Sequence, residues 1–352
     1  MESPKEPVIF GRSLIVPSVQ ELAKEPLSKI PHRYHRPHQE SPSIPSDYHL
    51  PSVPIIDFQK LAADDFIGSE LERLHSACKD WGFFQVVNHG VSLKLLDEFK
   101  LEIENFFKLP HEDKKLLWQT PDDHEGFGQL FVVSEDQKLD WSDMFYIPRY
   151  HSIFVREIME VYCTEVKNLA MRTLDYMAKA LKMDGEEMRA MFDDGVQAMR
   201  MNYYPPCPQP DMTIGFSPHS DADALTILFQ LDETEGLQVR KDGKWIPIKP
   251  LPNAFVVNIG DIMEILSNGI YRSIEHRAVV NSTKQRLSIA TFYSSKLDRE
   301  LGPAHSLIVP NNPAIFRRVP LEKYFKEFFA QKLNGKGYLD FMRIKNNDEH
   351  EN

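Results

Sequence analysis

The chain of 352 residues is 42% hydrophobic and 26% charged, a composition that supports one sizeable globular domain or two small ones. Its 41 Lys plus Arg stand against 52 Asp plus Glu, a formal net charge of −11, which excludes the broad basic field that draws a phosphate backbone, so nucleic acid is not an expected partner. The three cysteines, Cys78, Cys163 and Cys207, lack both the paired short spacing of zinc sites and the density of a disulfide framework, and fit a reducing compartment.

Met1 to Pro7 contains no apolar secretion segment, and no later stretch approaches the roughly 18 uninterrupted apolar residues of a membrane span. The expectation is a soluble, cytoplasmic, monomeric protein without membrane contact. Residues 1–53 are proline-rich and polar around a short helical stretch at Val19 to Ala23, the texture of an arm laid over a body. A helix-rich region is expected over 54–195. It opens with a short strand at Ile55-Ile56, an amphipathic helix from Glu70 to Lys79, a buried strand Phe83 to Val87 closed by Asn88-His89-Gly90, and a helix from Ser92 to Phe107. Its longest helix should run from Arg156 to Lys182, with Ile158, Val161, Tyr162, Val166, Leu169 and Leu174 recurring at three- and four-residue spacing.

From 196 to 298 short β-rich runs alternate with turns: Leu225 to Phe229, Leu237 to Arg240, Trp245 to Ile248, Ala254 to Ile259, Arg277 to Val280 and Leu287 to Phe292, with Asp242-Gly243 as a hairpin signal. A C-terminal helical segment is expected at 299–344, patterned around Leu321 to Leu333, before a polar tail at 345–352. Helices followed by many short strands indicate an α+β fold, a double-stranded β-helix or jelly roll braced by α-helices.

His219-x-Asp221 is the first candidate for chemistry. Thirteen histidines and 25 aspartates give about one such pair by chance, so the pair alone is weak. On extended backbone, however, residues i and i+2 face one side, and an imidazole and a carboxylate can grip one ion together. A second histidine on the same metal face would leave the opposite positions open, the arrangement of non-haem Fe(II) oxygenases. His276, in a β-patterned stretch downstream, is the best candidate; Asp223 shares the face of Asp221, and spacing does not choose between them.

Arg286-x-Ser288 turns a guanidinium and a hydroxyl to one side, a pair that suits a fixed dicarboxylic acid; the alternative is a surface arginine in a salt bridge. Asn202 and Tyr204, before Pro205-Pro206-Cys207-Pro208, also share a face. Their alternative is strand packing ended by prolines. His32, His35 and His38 resemble a metal tract, but Pro37 breaks a shared helical face. Asn281-Ser282-Thr283 matches a glycosylation acceptor expected to stay unmodified without a secretion signal, and His89 belongs to a turn.

Taken in order, these elements resemble the plant 2-oxoglutarate and Fe(II)-dependent dioxygenases. The resemblance runs over nearly the whole chain: Pro54-Ile55-Ile56-Asp57, Trp81-Gly82-Phe83-Phe84-Gln85-Val86-Val87-Asn88-His89-Gly90, Asn202-Tyr203-Tyr204-Pro205-Pro206-Cys207, then the His-x-Asp, the distal His and the Arg-x-Ser. Met199 to Tyr204 and Asn268 to Arg277 look closest to the branch holding the senescence-related oxidoreductases and the codeine and thebaine demethylases. The resemblance implies iron on His219, Asp221 and His276, deciding for Asp221 over Asp223, and 2-oxoglutarate met by Arg286, Ser288, Tyr204 and Asn202. It further implies Phe292 beside the substrate, dioxygen as oxidant and ascorbate as reductant. The expected reaction hydroxylates or O-demethylates a small plant-type specialised metabolite or hormone, releasing succinate and CO2. Rival readings are an oxidase of the same fold that uses no 2-oxoglutarate and a jelly roll that only binds a small molecule. One departure stands out: Arg149 to Val155 is shorter than the proline-rich loop that relatives carry there.

Overall fold

The computed structural model describes residues 13–25, 27–37, 51–120, 124–148 and 157–344. His38, the short segment 149–155, the polar tail 345–352 and parts of the arm lie outside the described residues.

Side-chain caps set the first helices. Ser18 accepts from the Glu21 N–H to open α1 (Val19–Leu22), and Asp57, the last residue of β1 (Ile55–Asp57), caps α2 (Phe58–Leu61). The helix α3 (Ile67–Ser76) starts earlier than its apolar period indicated and ends in a π-helical turn, Ala77–Trp81. Gly82 stops that turn at φ 61°, where a Cβ would lie 2.2 Å from the Arg272 carbonyl oxygen, so only glycine fits. It releases β2 (Phe83–Val87), after which Ser92 caps α4 (Leu93–Lys108). The helix-rich half continues through α5 (His111–Lys115), β3 (Gly126–Gly128), β4 (Asp143–Ile147), α6 (Glu157–Leu181) and α7 (Gly185–Phe192).

The strand-rich half holds β5 (Val196–Tyr204), β6 (Phe216–His219), β7 (Leu225–Gln230), β8 (Leu237–Lys241), β9 (Lys244–Pro247) and β10 (Phe255–Ile259). After α8 (Asp261–Leu266) come β11 (His276–Ala278) and β12 (Arg286–Ser294), then a small pair, β13 (Glu300–Leu301) with β14 (Val319–Pro320), and the helices α9 (Leu321–Phe329) and α10 (Leu339–Met342). Asp242 and Gly243 both have positive φ, 49° and 76°, in the two-residue turn joining β8 to β9, the conformation that matches strand twist.

The strands form an eight-stranded sheet, β1-β2-β10-β7-β12-β5-β4-β3, and a four-stranded sheet, β6-β11-β8-β9. The large sheet therefore draws strands from residues 55–147 as well as 196–294. Phe83, Leu228, Val256 and Ala290 of its inner face pack with Leu237, Val239 and Ile246 of the small sheet. Their neighbours Phe84, Ile227, Phe255, Val257 and Ile289 point the other way, into a cluster shared with α4 and α6. Strands covered on both faces read as continuous apolar runs rather than alternations, which is why they stood out in the sequence. This is the α+β jelly roll braced by helices.

The α6 stripe differs in detail from the expected one. It consists of Tyr162, Cys163, Val166, Leu169, Ala170, Thr173, Leu174, Met177, Ala178 and Leu181, while Val161 is 46% exposed because it falls about 100° round the helix from Tyr162, away from Cys163. α9 stops at Phe329 rather than Leu333. No helix of the described residues is long and apolar enough to cross a membrane.

Candidate metal centre and its two cavities

In the antiparallel pair β6–β11, His219 stands directly opposite His276. Each Nδ1 is close to a carbonyl two residues back, His219 to Ser217 O at 2.8 Å and His276 to Ile274 O at 3.1 Å. An N–H donated there leaves the Nε2 lone pair for another partner. Both Nε2 atoms face Asp221 Oδ1, at 3.5 and 3.6 Å, too long for hydrogen bonds and suited to donors sharing one ion about 2 Å from each. Thr226 Oγ1 and Asn258 Nδ2 donate to the other oxygen, Oδ2, at 2.5 and 2.8 Å, so Oδ1 alone turns to the imidazoles.

Electrostatics favours the ligating forms. Burial would raise the Asp221 carboxyl, but His276, His219 and the Thr226 hydroxyl overcome it and hold it below the usual carboxylate range. Burial, aided by neighbouring His219 and opposed by Asp221, pushes His276 down to about 4, keeping its imidazole neutral. Two imidazoles and one carboxylate oxygen are the donor set that fits a divalent iron with open positions. Among the described residues, these three form the only such group of at least three metal donors. Asp223 is not part of it: its Oδ1 accepts from Ser294 Oγ at 2.6 Å, and burial pushes the group up to about 7. The loop from Asp221 to Ala224 rests on Gly260, where a Cβ would lie 1.9 Å from Asp223 O.

The other end of the cavity is built by strand register. On the inner face of the large sheet, Arg286 lies opposite Tyr204 and Ser288 opposite Asn202 across β12–β5, while Ser288 also faces Gln230 of β7. Arg286 is 3% exposed, so it is not a surface salt bridge. Its Nη1 lies 3.4 Å from Ser288 Oγ, its Nη2 donates to Gln230 Oε1 at 3.2 Å, and the guanidinium sits 5.3 Å from the centre of the Tyr204 ring. Arg286 Nε and Asn202 Oδ1 are buried without hydrogen-bond partners. Unpartnered buried groups cost free energy; here they line a cavity of about 50 Å³ that reaches His219, Asp221 and His276.

A second cavity, of about 60 Å³, meets the first at Arg200, Phe216, His219, Asp221 and Phe292. Tyr146, Phe131, Phe328, Phe329 and Leu333 form its far side, and Phe131 stacks on Phe329 with ring planes 4° apart. Phe292 thus borders both spaces.

Four further residues contribute to the site. Arg200 lies two residues before Asn202 on the same face of β5, so the two-residue period already pointed to it. It is 6% exposed, its guanidinium lies 4.0 Å from the Phe216 ring centre, and its Nε has no partner. Thr226, Asn258 and Gln230 are single polar residues in or ending otherwise apolar strands, the usual sign of a buried polar group with a task. His89 accepts from the Val91 N–H and approaches Asn253 O at 2.9 Å, fixing a turn. His32 and His35 join no metal-donor group among the described residues. Asn281 Oδ1 accepts from the N–H groups of Thr283 and Lys284, also in a turn.

A family model described as the 2OG-Fe(II) oxygenase superfamily matches residues 195–295, and one described as the N-terminal region of non-haem dioxygenases in morphine synthesis matches residues 53–159. Oxoglutarate-dependent flavonoid 7-O-demethylase 1 of Ocimum basilicum is 50% identical over 351 residues, covering 96% of this chain and 93% of its own. Codeine O-demethylase of Papaver somniferum is 49% identical over 356 residues, covering 95% and 98%. The crystal structure of JOX2 in complex with 2OG, Fe and JA superposes with a TM-score of 0.85 at 34% identity, over 95% of this chain and 100% of that one.

Proposed function

Because the chain belongs to the 2OG-Fe(II) oxygenase superfamily, oxidoreductases that work with Fe(II) and 2-oxoglutarate, we propose that it hydroxylates or O-demethylates a planar aromatic plant metabolite, with His219, Asp221 and His276 as its iron ligands. The observation that carries this reading is the meeting of two cavities on one wall of metal donors, one ending on Arg286 and the other lined by aromatic rings. When bound, Fe(II) with 2-oxoglutarate and dioxygen supplies the oxidising power, and succinate and CO2 are released.

The protein's share is to hold and to exclude. Arg286 clamps the distal carboxylate of 2-oxoglutarate as a planar fork, with Ser288, Tyr204 and Asn202 around it. Thr226 and Asn258 restrict Asp221 to one ligating oxygen. Phe131, Phe328 and Phe329 keep water from the substrate and give its ring system a stacking surface. Arg200, a buried guanidinium without an ion pair among the described residues, offers a donor to a substrate oxygen beside the reacting carbon. Demethylation is favoured over plain hydroxylation by the two O-demethylases that this chain resembles along nearly its full length. Three buried cysteines that form no disulfide support a cytoplasmic setting, where thiols stay reduced.

The test is a set of incubations with 2-oxoglutarate, Fe(II) and ascorbate over a panel of methoxylated flavonoids and alkaloids, reading succinate, formaldehyde and product mass. Succinate and formaldehyde should rise together with one compound class. Absence of succinate with and without every compound would overturn the reading.

A further inference from the structure

β6, the strand that carries His219, is an edge strand: β11 takes one side, and no strand of the described residues takes the other. A partly buried edge still needs partners for the polar groups it takes out of water. Here they come from far along the chain. Ser217 N–H donates to Asp140 Oδ2 at 3.1 Å, and Ser217 Oγ donates to Asp140 Oδ1 at 2.6 Å. The same Asp140 Oδ1 accepts from Arg36 Nη2 of the N-terminal arm at 2.9 Å. Ser217 O in turn lies 2.8 Å from His219 Nδ1, the contact that aims the opposite ring nitrogen at Asp221.

The arm is firmly seated around this carboxylate. Arg36 N–H donates to Met212 O at 2.8 Å, and Leu139 N–H donates to Arg33 O at 2.8 Å. Tyr34 meets Trp141 edge to face at 5.2 Å, and the Trp141 backbone N–H donates to Ile214 O at 2.8 Å. Arg36 and Asp140 are mostly buried, with side chains 21% and 16% exposed, so their pair is screened less than a surface one.

We propose that Asp140 is a positioning residue of the metal centre and that Arg36 locks it, so that the N-terminal arm holds the His219 imidazole in the direction ligation requires. The proposal rests on the ligand set given under Proposed function. Arg286 and Ser288 belong to the other sheet, so loss of the Arg36–Asp140–Ser217 connection should weaken metal binding without weakening the 2-oxoglutarate clamp.

The experiment titrates Co(II) into the full-length metal-free protein and follows the visible absorption of the bound ion, with circular dichroism and thermal unfolding recorded alongside. Asp140→Ala should weaken Co(II) binding about tenfold or more, the range typical of outer partners of metal ligands. Arg36→Met should weaken it by less, Arg36→Lys should recover it, and 2-oxoglutarate affinity at saturating Co(II) should stay at the wild-type value. Wild-type Co(II) affinity in a folded Asp140→Ala protein overturns the proposal, as does a loss that only tracks the unfolded fraction. If Asp140→Ala does not fold, Arg36→Met decides, and unchanged Co(II) affinity there overturns it equally. His219→Ala serves as the control: if it binds Co(II) normally, the ligand set itself is wrong, a failure distinct from that of the proposed connection.

Discussion

Arg286 and His219 line one small cavity, yet they are held in opposite ways. β12 is a central strand with β5 and β7 on its two sides, and their register brings Arg286, Ser288, Asn202 and Tyr204 together. β6 is an edge strand supported from outside the sheet, by Asp140 and Arg36 at Ser217 and by Gly335, which donates to Pro218 O at 3.2 Å and accepts from the Ser220 N–H at 3.3 Å. A site inside a ladder depends on its neighbours in sequence period; a site on an edge depends on segments near both ends of the chain. The proposed 2-oxoglutarate clamp should therefore respond to local changes and the proposed metal centre to distant ones as well.

The largest effect expected from breaking this pattern is at the ligands. Asp221→Asn removes the charge that the two imidazoles face, and purified protein should carry almost no iron by plasma emission spectroscopy and release no succinate; normal iron content would refute the ligand assignment. Next comes Arg286→Lys, which replaces a two-pronged donor by a point charge. The 2-oxoglutarate KM should rise about tenfold, equivalent to about 1.4 kcal/mol, with kcat nearly kept in steady-state assays; an unchanged KM would remove Arg286 from the clamp. The smallest change sharpens the comparison. Gln230→Leu takes away one acceptor of the guanidinium, worth about 1 kcal/mol, so the same KM should rise about fivefold or less, with metal affinity unaltered.

Much of the clamp was legible in the sequence because its strands are buried on both faces and its polar residues keep a two-residue period. The same period placed Asp221 and Asp223 on one face, and only the bonds from Thr226, Asn258 and Ser294 separate them. β4 shows only a short apolar run, Met144 to Ile147, without alternation, which periodicity does not separate from a buried helical turn, and all six residues of α8 are buried, which leaves no amphipathic stripe to find. The link from Arg36 through Asp140 to Ser217 spans 104 and then 77 residues of sequence. No local pattern encodes such a contact; it exists only once the arm has docked.

The most direct test of the divided construction is a Co(II) titration of Arg286→Lys beside Asp221→Asn, both without 2-oxoglutarate. Metal affinity should be that of the wild type in the first and absent in the second. Weakened metal binding in Arg286→Lys, or normal binding in Asp221→Asn, would contradict that construction.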